Sequence, residues 1–334
     1  MAKRELPARL LELLGKDREQ YHSGEELSAQ LGVTRTAVWK AMGRLREQGY
    51  RIDSVTRRGY RLAGLPDGLT AELLAQYLPA GRGKTVFCYG ELDSTNIRCQ
   101  QMALEGAATG TVVVADRQTR GSGRLGRSFA SPGGCGVYLS YLLRPECPPA
   151  ALSLLTSYAG LAVCEVLEQY GLSPRIKWPN DIIIDRRKVC GILTKLTGDA
   201  ESGTINGAVI GIGINVTQQR QDFPEELRDK AISLREAGAE VPRAALAAAV
   251  IDRLDECFLR QQLLSRPAAP VIEQLTRRSC TVGSRVEVIT PIVQYEAEAV
   301  GIAPDAGLIV QLPDGTRRTV SSGEVSVRGL LGYT

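Results

Sequence analysis

Residues 112–143 read VVVADRQTRGSGRLGRSFASPGGCGVYLSYLL, and this stretch decides which fold the chain can adopt. The glycine spacing within 121–126 matches the dinucleotide-binding pattern G-x-G-x-x-G, and residues 121–128 nearly match the P-loop pattern, with Arg127 in place of lysine. Both patterns require a strand before the glycines and a helix after them. Here a second strand-like run follows, and Pro132 with its neighbouring glycines excludes a helix. We therefore expect a flexible Gly- and Arg-rich flap between two strands.

The segment from about residue 70 to 274 alternates helix-like and strand-like runs. The pattern of its strands predicts hairpins, with helices between the pairs of strands. Residues 150–170 are almost continuously apolar, which predicts a helix buried on more than one side. Together these patterns predict an α+β fold with a mixed sheet.

Composition and cysteine usage exclude several classes of protein. The chain has 334 residues, of which 43% are hydrophobic and 23% charged, as in an ordinary globular protein. Its eight cysteines form no C-x-x-C pair, and its one histidine, His22, is distant from them in sequence, which excludes an ordinary zinc site or a Ser-His or Cys-His catalytic pair. No apolar run approaches about 18 to 20 residues, and the N-terminus does not resemble a signal peptide. We predict a cytoplasmic protein with no membrane contact.

Positive charge is concentrated near the N-terminus, since residues 1–63 carry 13 of the 41 Lys and Arg residues but 8 of the 37 Asp and Glu residues. Ser23 and Thr34 are good N-caps for two short helices joined by a turn at Gly32. Residues 50–63 then alternate like a β-hairpin with a basic tip. This is the pattern of a winged helix-turn-helix that binds DNA. The alternative is a protein-interaction module with a solvated basic face.

The second of these helices has an apolar and a polar face. Val38, Met42 and Leu45 recur at helical spacing and are predicted to be core. Side chains at the start of the helix and at the tip of the wing are better placed for base or phosphate contacts. These candidate DNA contacts are Arg35, Thr36, Lys40, Arg57 and Arg58.

A second polar cluster, KWPND at 177–181, precedes a hairpin turn that delivers Lys188 into the next strand. We expect Lys177 and Lys188 to lie on neighbouring strands and to point at the same spot. A single lysine entering a strand is more often solvated, and Trp178 is equally compatible with an ordinary core position.

The flap and the lysines together suit a bound phosphate. The flap supplies Arg120, Arg124 and Arg127, which could close over an anionic ligand and keep water out. Asn180 or Asp181 could lie near a magnesium ion. The glycines of GIGIN at 211–215 allow a close approach to the backbone, either by a ligand or by another strand.

With these pieces in order, the sequence resembles the biotin protein ligases over its whole length, in the bifunctional ligase/repressor class of the BirA type. Seven pieces occurring in the family's order make a chance match negligible. They are the winged helix at about 5–62, DSTN at 93–96, QTRGSGRLGR at 118–127, KWPNDI at 177–182, RKVCGIL at 187–193, GIGINV at 211–216 and the C-terminal region 301–328.

The resemblance implies an α+β multidomain fold. It consists of a winged helix-turn-helix domain at 1–63, a linker at 64–69, a class II synthetase-like catalytic domain with a mixed sheet at 70–274, and an SH3-like β-barrel at 275–334. The implied reaction activates biotin with ATP and Mg²⁺ to biotinyl-5′-AMP and transfers biotin to one lysine of a biotin carboxyl carrier protein. The implied regulation is repression of biotin genes through operator DNA by a homodimer that biotinyl-AMP favours.

The resemblance also implies roles for individual residues. Arg124 and Lys188 are the implied catalytic cations. The implied biotin-binding residues are Ser94, Thr95, Asn96, Gln118, Gly121, Ser122, Arg124, Lys188 and Gly191. The implied ATP and adenylate residues are Arg127, Lys177, Trp178, Asn180, Asp181 and Asn215.

Two positions depart from the family pattern. Many relatives carry Arg or Lys at the position of Ser122, and some carry a tryptophan that covers the adenine where this chain has Ala231. Cover must then come partly from Ile232 or from elsewhere. Two alternative functions remain, a lipoate ligase-type enzyme and a non-catalytic biotin-sensing transcription factor; retention of both Arg124 and Lys188 argues against the second.

Overall fold

The computed structural model describes residues 6–147, 149–199, 204–289, 294–321 and 326–329. At the N-terminus, Ser23 and Glu26 form the predicted capping box, Gly32 adopts a left-handed conformation, and the Thr34 hydroxyl accepts a hydrogen bond from the backbone of Ala37. Three helices and a two-stranded hairpin therefore form the predicted winged helix-turn-helix. The elements are α1 (Leu6–Lys16), α2 (Gly24–Leu31), α3 (Arg35–Glu47), β1 (Arg51–Val55) and β2 (Gly59–Gly64).

A seven-stranded mixed sheet forms the centre of the molecule, with strand order β3-β4-β5-β9-β8-β7-β6. Only β3 and β4 pair in parallel; every other neighbouring pair is antiparallel. Between β4 and β5 there is only a short 3-10 turn at Arg124–Gly126, so the predicted flap connects two antiparallel strands. The strands are β3 (Val86–Leu92), β4 (Val112–Gln118), β5 (Gly136–Leu143), β6 (Arg175–Lys177), β7 (Asp181–Ile184), β8 (Arg187–Asp199) and β9 (Thr204–Asn215).

Helices cover both faces of this sheet. On one face α5 packs with Val113, Leu142 and Val209, whereas the alternate strand residues face the larger core that contains α6 and α7. This two-sided burial explains the continuous apolar runs of the central strands. The helices that follow the winged domain are α4 (Ala71–Leu74), α5 (Thr95–Leu104), α6 (Leu155–Glu168), α7 (Arg243–Asp255) and α8 (Ala269–Arg278).

The most apolar helix corrects one sequence prediction. Residues 151–168 have a mean hydropathy of 1.4 over 18 residues, so a run long and apolar enough to cross a membrane does exist. However, 67% of that window is buried inside the protein. Its hydrophobicity therefore fits the core helix that the sequence predicted within 150–170.

The C-terminal segment forms a five-stranded antiparallel sheet with strand order β13-β12-β11-β10-β14. Its core includes Val286, Val288, Leu308 and Val310, and the side chain of Trp178 from the central domain packs into the same cluster. The strands are β10 (Arg285–Ile289), β11 (Gln294–Ile302), β12 (Leu308–Gln311), β13 (Arg317–Val320) and β14 (Ser326–Gly329). Residues 322–325 of the C-terminal motif region lie outside the described residues.

The predicted linker at 64–69 is attached to the catalytic domain. The carboxylate of Asp67 accepts hydrogen bonds from the backbone N–H and from Nε of Arg243, at 3.1 and 2.9 Å. The Arg243 side chain is only 4% exposed and also donates to Asp116 of β4, at 2.6 Å. A buried arginine with two carboxylate partners fixes the linker against the strand that leads into the flap.

Candidate active site

The flap, residues 118–129, is ordered by backbone hydrogen bonds at both ends. The N–H groups of Thr119 and Arg120 donate to the carbonyls of Leu92 and Asp93, and the N–H of Phe129 donates to Gly121, at 2.8–2.9 Å. A Cβ at Gly121 would lie 2.4 Å from the Phe129 carbonyl oxygen. Only glycine therefore fits at this point of the flap.

Two adjoining cavities lie beneath the flap, of about 60 and 240 Å³. The smaller cavity lies between the start of α5, the flap and strands β8 and β9, whereas the larger lies between the flap, β6–β8 and the segment 215–231. Both cavities are lined by Gly123, Arg124, Phe129, Asn180 and Lys188, which form their shared wall.

The predicted site residues divide between these cavities. Of the nine predicted biotin-binding residues, Ser94 and Gly121 line neither cavity, although Ser94 is buried at the N-cap of α5. All six predicted adenylate residues line the larger cavity. The smaller cavity is lined by Thr95, Asn96, Gln118, Ser122, Arg124, Lys188 and Gly191; the larger by Arg127, Lys177, Trp178, Asn180, Asp181 and Asn215.

The polar wall of the smaller cavity is held by internal hydrogen bonds. The backbone N–H and the hydroxyl of Thr95 donate to Oε1 of Gln118, at 2.8 and 3.1 Å. The Gln118 amide donates in turn to Ser131, at 2.9 Å, and Ser140 donates to Oδ1 of Asn96, at 2.7 Å. These contacts fix both side-chain amides before any ligand arrives, which is the arrangement that hydrogen-bond recognition requires.

Sequence reasoning missed several residues of this site, among them Phe129, Ser131 and Ser140. The ring of Phe129 lies over Gly213, where an added Cβ would be 2.5 Å from it. Gly213 pairs with Gly191 across β8 and β9, so two glycines make room for one aromatic ring. Two signals in the sequence could have indicated these residues. The glycines at 191 and 213 leave room for a ring, and Ser140 is a single polar residue in the apolar strand GVYLSYLL.

The shared wall brings three separate segments together. Lys188 Nζ of β8 lies 2.7 Å from Oδ1 of Asp181, and the Asn180 amide donates to the same oxygen at 3.1 Å. Arg124 of the flap donates to Oδ1 of Asn180 at 3.4 Å. Burial lowers the pKa of Arg124, partly countered by the nearby charge of Asp181. The site therefore holds two cations beside one carboxylate, an arrangement suited to an added anion.

The predicted adjacency of Lys177 and Lys188 was wrong. Lys177 ends β6 and Lys188 lies on β8, with β7 between them, because 175–184 forms two strands rather than one. Both lysines nevertheless line the larger cavity. Burial lowers the pKa of Lys177 to about 8, a shift that Asp181 opposes and that the positive charge of Lys188 reinforces.

Trp178 combines the two interpretations that the sequence left open. It is buried in the core of the C-terminal sheet, where its indole N–H donates to the Ala306 carbonyl at 2.8 Å and its backbone N–H donates to Thr281 at 3.0 Å. It also lines the larger cavity. One side chain therefore connects the C-terminal domain to the candidate site.

Ala231 stands where some relatives of the family carry a tryptophan, and other apolar side chains line the larger cavity beside it. Of the two sources of cover that the sequence left open, Ile232 is fully buried and does not line the cavity. Phe223 and Leu227 line it together with Ala231. The Asn215 amide donates to the Ile232 carbonyl at 3.2 Å and so attaches this segment to β9.

The candidate DNA-binding residues lie on the surface of the winged domain. Arg35, Thr36 and Lys40 are exposed on α3. Arg57 and Arg58 are exposed in the turn between β1 and β2, and the guanidinium of Arg58 lies 4.5 Å from the centre of the Tyr21 ring. The structure therefore presents two basic elements on one module.

Three family models match the chain in order. They are an HTH domain at residues 8–61, the biotin/lipoate A/B protein ligase family at 89–215, and the biotin protein ligase C terminal domain at 281–328. The bifunctional ligase/repressor BirA of Bacillus subtilis (strain 168) is 35% identical over 318 residues, which are 94% of this chain and 96% of that protein.

Two further similarities concern the catalytic part. The biotin--[acetyl-CoA-carboxylase] ligase of Mycobacterium tuberculosis is 33% identical over 262 residues, covering 75% of this chain and 92% of that protein. The structure of biotin protein ligase from Aquifex aeolicus in complex with biotin and ATP superposes with a TM-score of 0.63 at 31% identity, covering 73% of this chain and 98% of that one.

Proposed function

Since the chain belongs to the biotin protein ligases, in the branch of bifunctional ligase/repressors, we propose that its two cavities hold the two halves of biotinyl-5′-AMP. The smaller takes the biotin rings and the larger the adenylate. The observation that carries this division is the shared wall, in which Arg124 and Lys188 both lie. It separates a cavity with fixed amides from a larger cavity lined by further cations.

In the first step, a carboxylate oxygen of biotin attacks the α-phosphorus of ATP, and pyrophosphate leaves. Negative charge gathers between the two reactants, where Arg124 and Lys188 already lie. Preorganised cations at the place where charge develops are usually the largest single contribution to such catalysis. The mixed anhydride then lies beneath the flap, out of contact with bulk water.

In the second step, the ε-amine of the carrier lysine attacks the acyl carbon of the anhydride, forming an amide and releasing AMP. The carrier is the biotin carboxyl carrier protein of a biotin-dependent carboxylase. ATP enters as its magnesium complex. The Asp181 carboxylate and the side-chain carbonyl oxygen of Asn180 are ligands that suit Mg²⁺, because proteins hold this ion through one or two carboxylates together with the phosphates of the substrate. Among the described residues no group of three His, Cys, Asp or Glu is placed to hold a metal ion without the nucleotide.

The test is incubation of the protein with biotin, MgATP and an isolated carrier domain, followed by mass spectrometry. We expect one added biotin on one lysine, with release of pyrophosphate. Lipoate as a competitor separates the lipoate ligase alternative, since a biotin ligase should prefer biotin. Biotin binding without pyrophosphate release would instead identify a sensor without catalysis.

The repressor half of the proposal assigns operator DNA of biotin genes to the winged domain, with a homodimer that biotinyl-AMP favours. We place that domain at 1–63, the catalytic domain at 70–274 and the C-terminal domain at 275–334, and the protein in the cytoplasm. Gel shifts on the biotin operator should tighten when biotin and ATP are present. If no specific shift appeared with or without biotin and ATP, the repressor function would be contradicted, whereas the proposed ligase function would be unaffected.

The lowered pKa of Lys177 predicts a pH dependence of ATP binding. With a pKa of about 8, the free enzyme carries a charged Lys177 at neutral pH and loses that charge as the pH rises further. We expect ATP affinity to fall about tenfold between about pH 7 and pH 9, because only the charged form attracts the phosphates. Titration calorimetry at each pH measures this. Lys177→Arg stays charged and should flatten the profile; an unchanged slope would contradict the assignment.

A further inference from the structure

Trp39 presents a large aromatic side chain to solvent. It lies on α3 and is 62% exposed, whereas the other tryptophan, Trp178, is 6% exposed. Tryptophan is highly buried on average, and an exposed one is typical of a binding surface. No contact within the described residues explains why this position holds an indole.

The helical spacing of α3 places Trp39 on the outer face. Arg35, Thr36 and Gly43 are three or four residues from it and share its side of the helix, and Lys40 follows it directly as an exposed residue. The buried residues of α3, among them Val38 and Met42, lie on another face of the helix, which packs into the core. At Gly43 an added Cβ would meet no atom within 4 Å. Open space therefore lies beside the indole, one turn along the helix.

The surroundings of Trp39 are basic. Arg35 and Lys40 are exposed near it, on the N-terminal half of α3. In a helix-turn-helix the N-terminal residues of the second helix contact base edges in the major groove. The C5-methyl group of thymine is the apolar group displayed there, and apolar side chains contact it. An exposed indole between cations thus fits DNA better than an apolar protein surface.

We propose that Trp39 contacts a thymine methyl group in the major groove and contributes to the base specificity of the repressor. This rests on the proposed binding of operator DNA by the winged domain. Arg35 and Lys40 supply the attraction to phosphates, which is independent of sequence, and Trp39 supplies discrimination at one base pair in each half-site.

The experiment uses full-length protein with biotin and MgATP, and a duplex selected by the wild-type protein from a random-sequence library. Each thymine is replaced singly by deoxyuridine, which removes only the methyl group. We expect one replacement per half-site to weaken wild-type binding about fivefold. Trp39→Ala should bind the parent duplex about fivefold more weakly and should bind the thymine and uracil duplexes equally.

Lys40→Ala is the matched control, because Lys40 is the exposed residue next to Trp39 on the same helix. It should weaken binding to all duplexes and reduce the salt dependence, while keeping the thymine preference. Carrier biotinylation by Trp39→Ala should stay normal, which shows that its catalytic domain is intact, and the retained salt-dependent binding to all duplexes shows that its winged domain is folded. Wild-type indifference to every thymine replacement, or a thymine preference retained in Trp39→Ala, would overturn the proposal. If the wild type selects no specific duplex, the repressor function itself fails, and this proposal fails with it.

Discussion

Replacing Lys188 with alanine should slow adenylation at least about a hundredfold while the protein stays folded. Loss of one preorganised charge-stabilising group typically costs about 10²–10³ in rate. The side chain is 26% exposed, and its backbone still bonds Lys230 and Ile232, so the strand should persist. Asp181 also keeps its hydrogen bond from Asn180. Pyrophosphate release measures the rate, and thermal melting measures the fold.

Lys195→Ala is the matched control for this change, because Lys195 lies on the same strand and lines neither cavity. It should leave pyrophosphate release unchanged. Lys188→Arg keeps the charge and should recover part of the rate. Near-normal release by Lys188→Ala, at saturating biotin and ATP, would remove Lys188 from the catalytic assignment.

Replacing Arg124 with glycine should let biotinyl-AMP escape from the enzyme. Arg124 belongs to the flap, lines both cavities and bonds Asn180 on the opposite side of the site. Losing a charge-assisted hydrogen bond to the adenylate costs about 1.5–3 kcal/mol, or about 10- to 150-fold in retention. The free anhydride should then modify lysines of any nearby protein. Mass spectrometry of a bystander protein added to the reaction measures this.

Arg120→Gly makes the same change at an exposed position of the same flap that lines neither cavity. The Arg120→Gly variant should biotinylate only the carrier and leave the bystander protein unmodified. If Arg124→Gly also modified only the carrier, with no free biotinyl-AMP in the filtrate, the flap would not be what retains the intermediate.

Local signals were sufficient where a feature depends on neighbours in sequence. The capping box at Ser23 and Glu26, and the flap bounded by two strands, are both set within a few residues. For the capping box and the flap, the controlling contacts lie close to the residues that predict them. The grouping of Arg124 and Lys188, the proposed catalytic cations, came instead from the order of the family motifs.

The misses share the opposite property, because their partners are distant in sequence. Ser140 bonds Asn96, 44 residues away, and the ring of Phe129 lies over Gly213 of a strand that is distant in sequence. No periodicity reports such contacts. The wrong prediction that Lys177 and Lys188 lie on neighbouring strands has a different cause. The four-residue strand β7, Asp181–Ile184, follows β6 so closely that the sequence pattern indicates one continuous strand.

The pairing of Asp67 with Arg243 decides where the ligase can be separated from its DNA-binding module. A shortened enzyme that begins at residue 70 would leave a 4% exposed guanidinium with one carboxylate partner instead of two. Removing one carboxylate from a buried arginine is destabilising even when the other remains. An autonomous ligase should therefore start before Asp67, and a lineage that discards the module must supply another acid at this place or replace the arginine.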